Sequence, residues 1–161
     1  MAEVETFVRN YLGQVIARSA RHSAEIRAAL GSSSVVVGRP FALVVWDDRS
    51  GKRPGPGELL IYTFQFTSDG QLVPCVVADD FDPDTFGAIG LTLLLQIALG
   101  KIELFDAVRI GLRDGRLNWR GEPDVLRGFG MLTSLHGLEG VLRVAPEASV
   151  VPPGALGERT P

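Results

Sequence analysis

LIYTFQFTSDGQLVPCVVA, residues 60–78, decides the fold class of this chain. Leu60, Tyr62, Phe64 and Phe66 alternate with Ile61, Thr63 and Gln65. A period of two puts the large apolar side chains on one face of a β-strand. Ser68-Asp69-Gly70 then supplies the residues a tight reversal needs. Leu72 to Ala78 reads as the returning strand of an antiparallel hairpin. One face of that hairpin is apolar and must be covered by other elements.

Upstream, Val4, Phe7, Val8, Tyr11, Leu12, Val15 and Ile16 recur at three- and four-residue spacing, which predicts an amphipathic helix. It continues, less apolar, through Ala20, Ala24 and Ile26 to Leu30, where Gly31 can end it. Val35–Val37 and Phe41–Trp46 flank Gly38-Arg39-Pro40, and predict two short strands or one strand bulged at Pro40. The polar stretch 47–57, DDRSGKRPGPG, is an exposed loop.

Downstream, Asp82-Pro83-Asp84 reads as a helix start, with aspartate as N-cap and proline in the first turn. The apolar helix that follows covers 86–99 and ends at Gly100-Lys101. A second short helix carries Leu104, Phe105, Val108 and Ile110. Arg116–Arg120 alternates Leu117 and Trp119 with polar residues, as a short strand does. Pro123 opens a last helix through Leu126, Phe129, Leu132 and Leu135, extending to Leu142. The expected organisation is one domain over 1–145 and a loose Pro/Gly-rich tail over 146–161.

Composition narrows the function classes. The 161 residues are 45% hydrophobic and 22% charged, ordinary for a globular domain able to bury a core. The net charge is −3, and Arg18, Arg21 and Arg27 are spread along the first helix beside Glu25, so no basic stripe points to nucleic acid. Cys75 is the only cysteine, which excludes an internal disulfide and a thiolate zinc site. The start MAEVETF does not read as a secretory signal. The longest uncharged stretch, Thr85 to Gly100, is 16 residues, short of the roughly 20 that span a bilayer. A cytoplasmic protein without an integral membrane segment is expected.

Motifs for chemistry fail on inspection. Asp79, Asp80, Asp82 and Asp84 suggest calcium, but an EF-hand counted from Asp80 needs glycine and glutamate where Thr85 and Leu91 stand. His22 and His136 are far apart in sequence, and neither Ser23 nor Ser134 lies in a nucleophile-elbow pattern. Gly128-Phe129-Gly130 follows a helix start rather than a strand, so it is no dinucleotide loop. Cys75, with no basic neighbour in sequence, reads as a buried, inert thiol. No catalytic residue, metal ligand or cofactor site is expected.

The aromatic stripe of Tyr62, Phe64 and Phe66, with Trp119 on a later strand, is either ordinary core or the wall of an apolar pocket, since both use these residues. Segments 86–99, 104–110 and 125–142 offer more apolar surface than a sheet of short strands needs. Surplus apolar surface encloses a ligand or meets a partner.

Gly100-Lys101, Ala107 and Gly115-Arg116-Leu117-Asn118-Trp119-Arg120-Gly121-Glu122-Pro123 carry a more specific signal. They resemble the sterol carrier protein type 2 family. Its members tend to end a helix in Gly-Lys, place an alanine seven residues on, and follow with a Gly-Lys/Arg-Leu-x-Val-x-Gly-Asp strand. Trp119 stands for the usual aliphatic residue and Glu122 for the aspartate. The resemblance implies an α+β fold: a mainly antiparallel sheet of about five strands, helices on one face, and an apolar tunnel between them without catalytic residues. It implies turns at Gly115 and Gly121.

The leading expectation is therefore non-catalytic binding or carrying of a lipid, sterol, fatty acyl chain or quinone. Tyr62, Phe64, Phe66, Leu95, Trp119, Phe129 and Leu132 would contact it, and Gln65, Gln96 or Tyr62 would meet its polar group. The alternative is an accessory or scaffold subunit, docking on a partner or a second copy through the first and last helices. An enzyme would need distant groups to converge, for instance His136 with one of the aspartates 79 to 84.

Overall fold

The computed structural model describes residues 2–30 and 36–134, with the backbone alone at 29, 129, 131, 133 and 134. In chain order the elements are α1 (Ala2–Arg21), α2 (Ser23–Leu30), β1 (Phe41–Trp46), β2 (Leu59–Phe66), β3 (Leu72–Pro74) and β4 (Phe86–Gly90), then α3 (Leu91–Ala98), α4 (Leu104–Asp114), β5 (Leu117–Arg120) and α5 (Pro123–Ser134). The fold is α+β, with one sheet in the order β3-β2-β1-β4-β5. The pairs β1–β2, β2–β3 and β4–β5 are antiparallel, and only β1–β4 is parallel.

Register assembles the inner face. Phe41, Leu43 and Val45 on β1 lie opposite Phe64, Tyr62 and Leu60 on β2. Leu43 and Val45 also face Gly87 and Ile89 of β4, which face Trp119 and Leu117 of β5. Phe66 meets Leu72 of β3. Directly paired residues point to the same side of a sheet, so these side chains form one apolar surface. The helices cover it. Val4, Phe7, Val8, Leu12 and Val15 of α1 and Leu91, Leu93, Leu94 and Ile97 of α3 are all buried in the same core. On the opposite face Ile61 is 61% exposed.

Several elements differ from the sequence reading. Residues 86–90 form a strand, and the helix expected over 86–99 begins only at Leu91. Gly87 and Gly90 are weak helix formers. Phe86–Gly90 fits between the open edges of β1 and β5, where Phe86 to Ile89 find partners on both sides. Asp82 and Asp84 therefore cap nothing; they pair with Arg120 and Arg39 at 3.4 and 3.3 Å. The cap of α3 comes from elsewhere: Asp48 accepts from the Thr92 backbone N–H at 2.9 Å and from its hydroxyl at 2.5 Å. A carboxylate there meets both the orphan donors and the positive end of the helix. The C-terminus matches the reading, since Gly100 has φ +71°. Gly100 and Lys101 donate to Ile97 and Gln96 carbonyls at 3.0 and 2.9 Å, a Schellman closure.

The first helix is two, α1 and α2, meeting at His22. They follow different partners. Ser19 of α1 accepts from the Leu72 backbone at 2.9 Å on β3, whereas α2 packs against α5. Val35–Val37 is no strand: Val37 makes one isolated bridge to Phe66 before Gly38 turns the chain, and Val35 lies outside the described residues. The returning strand is shorter than read and ends at Pro74, with one further contact where the Cys75 N–H donates to the Thr63 carbonyl at 3.0 Å. The helix read over 104–110 runs to Asp114, and Gly115 and Gly121 flank β5 with φ +82° and +107°. The tail 146–161 lies outside the described residues.

Candidate functional site

Between the inner face and the helices lies a cavity of about 60 Å³ with an apolar lining. Leu43, Gly87, Ile89, Leu117 and Trp119 form its floor on β1, β4 and β5. Its roof comes from Tyr11 and Leu12 of α1, Leu94 and Ile97 of α3, Leu104 of α4 and Leu126 of α5. Four helices and three strands thus converge on one space.

Local sequence explains why the space is here. The inner face carries large side chains at every β2 position, but β4 places Gly87 beside Leu43. The missing side chain lowers the floor. Trp119 refills part of the gap: a Cβ on Gly87 would lie 3.0 Å from its Cε3 and Cζ3. That separation is tighter than ordinary contact, so a side chain at 87 would push the indole from its place.

No polar atom of the described residues is exposed to the cavity; the polar groups of its lining side chains are turned into the surrounding packing. Burial pushes the Tyr11 phenol far above its ordinary value, and Arg18 nearby pulls it only partly back, so Tyr11 stays protonated. The Trp119 indole N–H is buried with no hydrogen-bond partner. An unmet buried donor costs about 1–3 kcal/mol. Arg18 also has a buried Nε without a partner, while a terminal nitrogen donates to the Leu132 carbonyl. Its burial lowers the guanidinium pKa, but Arg18 does not line the cavity. Its burial also removes it from any basic surface stripe along the first helix.

A second, polar cleft of about 460 Å³ shares Phe41 with the cavity. Arg39, Asp82, Asp84, Thr85 and Glu122 line it beside Val36 and Phe81. Its ion pair Arg39–Asp84 is solvent-exposed and weak. Among the described residues no three His, Cys, Asp or Glu side chains gather around a metal position.

The residues singled out from sequence are dispersed by the fold. Trp119 lines the cavity. Phe64 and Phe66 instead pack against Phe41, with ring centroids 6.1 and 5.7 Å apart. Leu95 and Leu132 are buried in the core away from the lining, and Tyr62 is half-buried at the inner face. The Phe129 side chain lies outside the described residues. Gln65 belongs to the opposite sheet face and Gln96 is exposed, so neither stands among the lining residues. Sequence reasoning missed Leu43, Gly87, Ile97 and Leu104; Gly87 was hidden because its segment was read as helix.

Other expectations resolve similarly. Cys75 is half-buried just beyond β3. His22 sits 3.7 Å from Glu25, and His136 lies outside the described residues. The apolar face of α1, expected to dock on a partner, is consumed by the core. Among the described residues no helix is long and apolar enough to cross a membrane.

Neither a protein-family model nor a curated protein sequence matches the chain. Several solved structures similar to it are sterol carrier protein 2 or like proteins. The apo form of Sterol Carrier Protein 2 from Yarrowia lipolytica is 14% identical over 83% of this chain and 87% of that one, with a TM-score of 0.42. Sterol Carrier Protein 2 Like 2 from Aedes aegypti is 17% identical over 76% of this chain and 96% of that one, with a TM-score of 0.39. The ubiquinone synthesis protein UbiJ-SCP2 is 15% identical over 73% and 93%, with a TM-score of 0.38.

Proposed function

We propose that this protein binds an apolar small molecule in the cavity between sheet and helices and does no chemistry on it. The observation that carries the reading is the cavity itself: an apolar space built by four helices and three strands, beside a glycine that leaves the floor low. Its walls offer apolar burial, about 0.8 kcal/mol per methylene removed from water. Among the described residues Tyr11 is its only titratable lining group, and burial holds it protonated, which suits binding better than proton transfer. The resemblance of residues 100–123 to the sterol carrier protein type 2 family points the same way.

The ligand classes that fit are lipids, sterols, fatty acyl chains and quinones. Pockets for such molecules measure roughly 300–1,000 Å³, against about 60 Å³ here. Loading a long ligand must therefore displace side chains, with Trp119 and Phe41 at the walls.

Native mass spectrometry of freshly purified protein, followed by solvent extraction, tests the reading. A bound apolar molecule released on denaturation is the expected result. Ile97→Trp, which fills the roof, should abolish that extra mass while preserving the fold at a cost of about 1–3 kcal/mol. Protein that stays empty and refuses fatty acids, sterols and quinones would overturn the proposal.

A second reading, an accessory subunit, is favoured by one observation: Ile61 is 61% exposed on the sheet face opposite the helices. Ile61→Lys should then weaken the partner complex without changing ligand loading. An unchanged complex rejects docking through that face.

A further inference from the structure

We propose that Phe41 sets the length of molecule the site accepts: its ring is the partition between the apolar cavity and the neighbouring cleft, and a bound chain ends against it. This rests on the ligand-binding reading above and adds a size limit to it. Among the described residues, Phe41 alone lines both spaces. The two spaces lie end to end. Approaching and entering β1, Pro40 lines the cleft and Ala42 the cavity. Along β4 the same change falls between Thr85 and Gly87, and on α5 between Val125 and Leu126. β1 and β4 are parallel, so both strands run from the cleft towards the cavity. Three elements thus cross from one space to the other within two residues, and Phe41 stands at the crossing.

The partition is held from behind. The Phe41 ring is 2% exposed and lies 6.1 and 5.7 Å from the Phe64 and Phe66 rings, centroid to centroid. A close-packed core gives such a ring little room to retreat. Size makes the partition matter. The cavity alone is about 60 Å³ and the cleft about 460 Å³, and only the joined spaces reach the roughly 300–1,000 Å³ usual for ligand pockets. One side chain therefore separates a short site from a long one.

A series of straight-chain acids (hexanoic, octanoic, decanoic, dodecanoic and tetradecanoic) tests this on the full chain by calorimetry. Each methylene that finds an apolar wall should tighten binding about fourfold. In the wild type that gain should stop within the series. Phe41→Ala should carry it to longer acids and bind tetradecanoic acid about tenfold tighter than the wild type does. The backbone N–H signals of Thr85 and Glu122, which line the cleft and not the cavity, supply a second readout. Tetradecanoic acid should move them in Phe41→Ala and leave them in place in the wild type. A gain that stops at the same acid in both proteins, or cleft signals that move in the wild type, overturns the partition and leaves the binding reading intact. If no acid binds either protein, the binding reading falls and this inference with it. Should Phe41→Ala fail to fold, Phe41→Leu decides by the same two readouts.

Discussion

At the β3–β2–β1 end of the inner face, Phe41 lies 6.1 and 5.7 Å from the Phe64 and Phe66 rings, while at the β1–β4–β5 end Gly87 leaves a gap that Trp119 covers. Both ends belong to one sheet and one core. They differ in what the strands offer. β2 presents Leu60, Tyr62, Phe64 and Phe66 in succession, and α5 approaches so closely that a Cβ on Gly128 would come within 2.9 Å of the Phe66 ring. β4 presents Gly87 and Ile89, and the cavity lies between them and Leu94 and Ile97 of α3 and Leu104 of α4. A filled end gives stability, a hollow end gives room, and Phe41 stands on the border of both.

The sharpest way to break this contrast is to hollow the filled end. Phe66 is fully buried, so Phe66→Ala should cost about 3–5 kcal/mol, read from chemical denaturation. It should leave ligand loading at the hollow end intact wherever the variant still folds. A cost below about 1 kcal/mol would mean the two ends are equally loose.

Gly111 tests the other end from above. A Cβ there would lie 2.5 Å from Leu117 Cβ and 2.7 Å from Leu93 Cδ2, so α4 rests directly on β5 and α3. Gly111→Ala gains up to about 1 kcal/mol of helix propensity but loses more to overpacking. The net expectation is a loss of about 1–2 kcal/mol in thermal or denaturant unfolding, with altered ligand loading as α4 shifts. A stabilised variant would show that the roof adjusts freely.

The smallest effect concerns acid. Arg49 donates to Asp47 at 2.8 and 2.5 Å and holds its carboxyl below the usual range. A depressed folded pKa adds stability that is complete above the unfolded value, near 4. That stability fades as pH falls through the folded value. The pair is partly exposed, so the effect should stay below about 1 kcal/mol. Asp47 precedes Asp48, the cap of α3, so acid should loosen the roof of the hollow end before the filled end. Hydrogen exchange at pH 3 against pH 6 reads this, and Asp47→Asn should reduce the difference. Uniform loosening at both ends would reject it.

The sequence was legible where period and punctuation agreed. Leu60 to Phe66, with its turn at Ser68-Asp69-Gly70, formed the hairpin at the filled end, and Gly100-Lys101 ended α3 as read. GRLNWRGEP became β5 and the start of α5. Residues 86–90 defeated the reading because FGAIG has no strong period and follows the helix-start signal Asp82-Pro83-Asp84. The seven residues expected to touch a ligand were large and apolar, and the fold spent most of them on the core. Of those whose side chains are described, only Trp119 is found at the cavity.

Sequence by itself determined the α+β class, the apolar face of the hairpin and the failure of every metal or nucleophile motif to assemble locally, because these depend on neighbours a few residues apart. Tertiary structure alone decided that Phe86–Gly90 is a strand, that Asp48 caps a helix 44 residues away, and where the hollow lies. A cavity is a mismatch between surfaces that meet from distant parts of the chain. Gly87 and Trp119, 32 residues apart, have no local signature of their shared gap until the β4–β5 register brings them face to face.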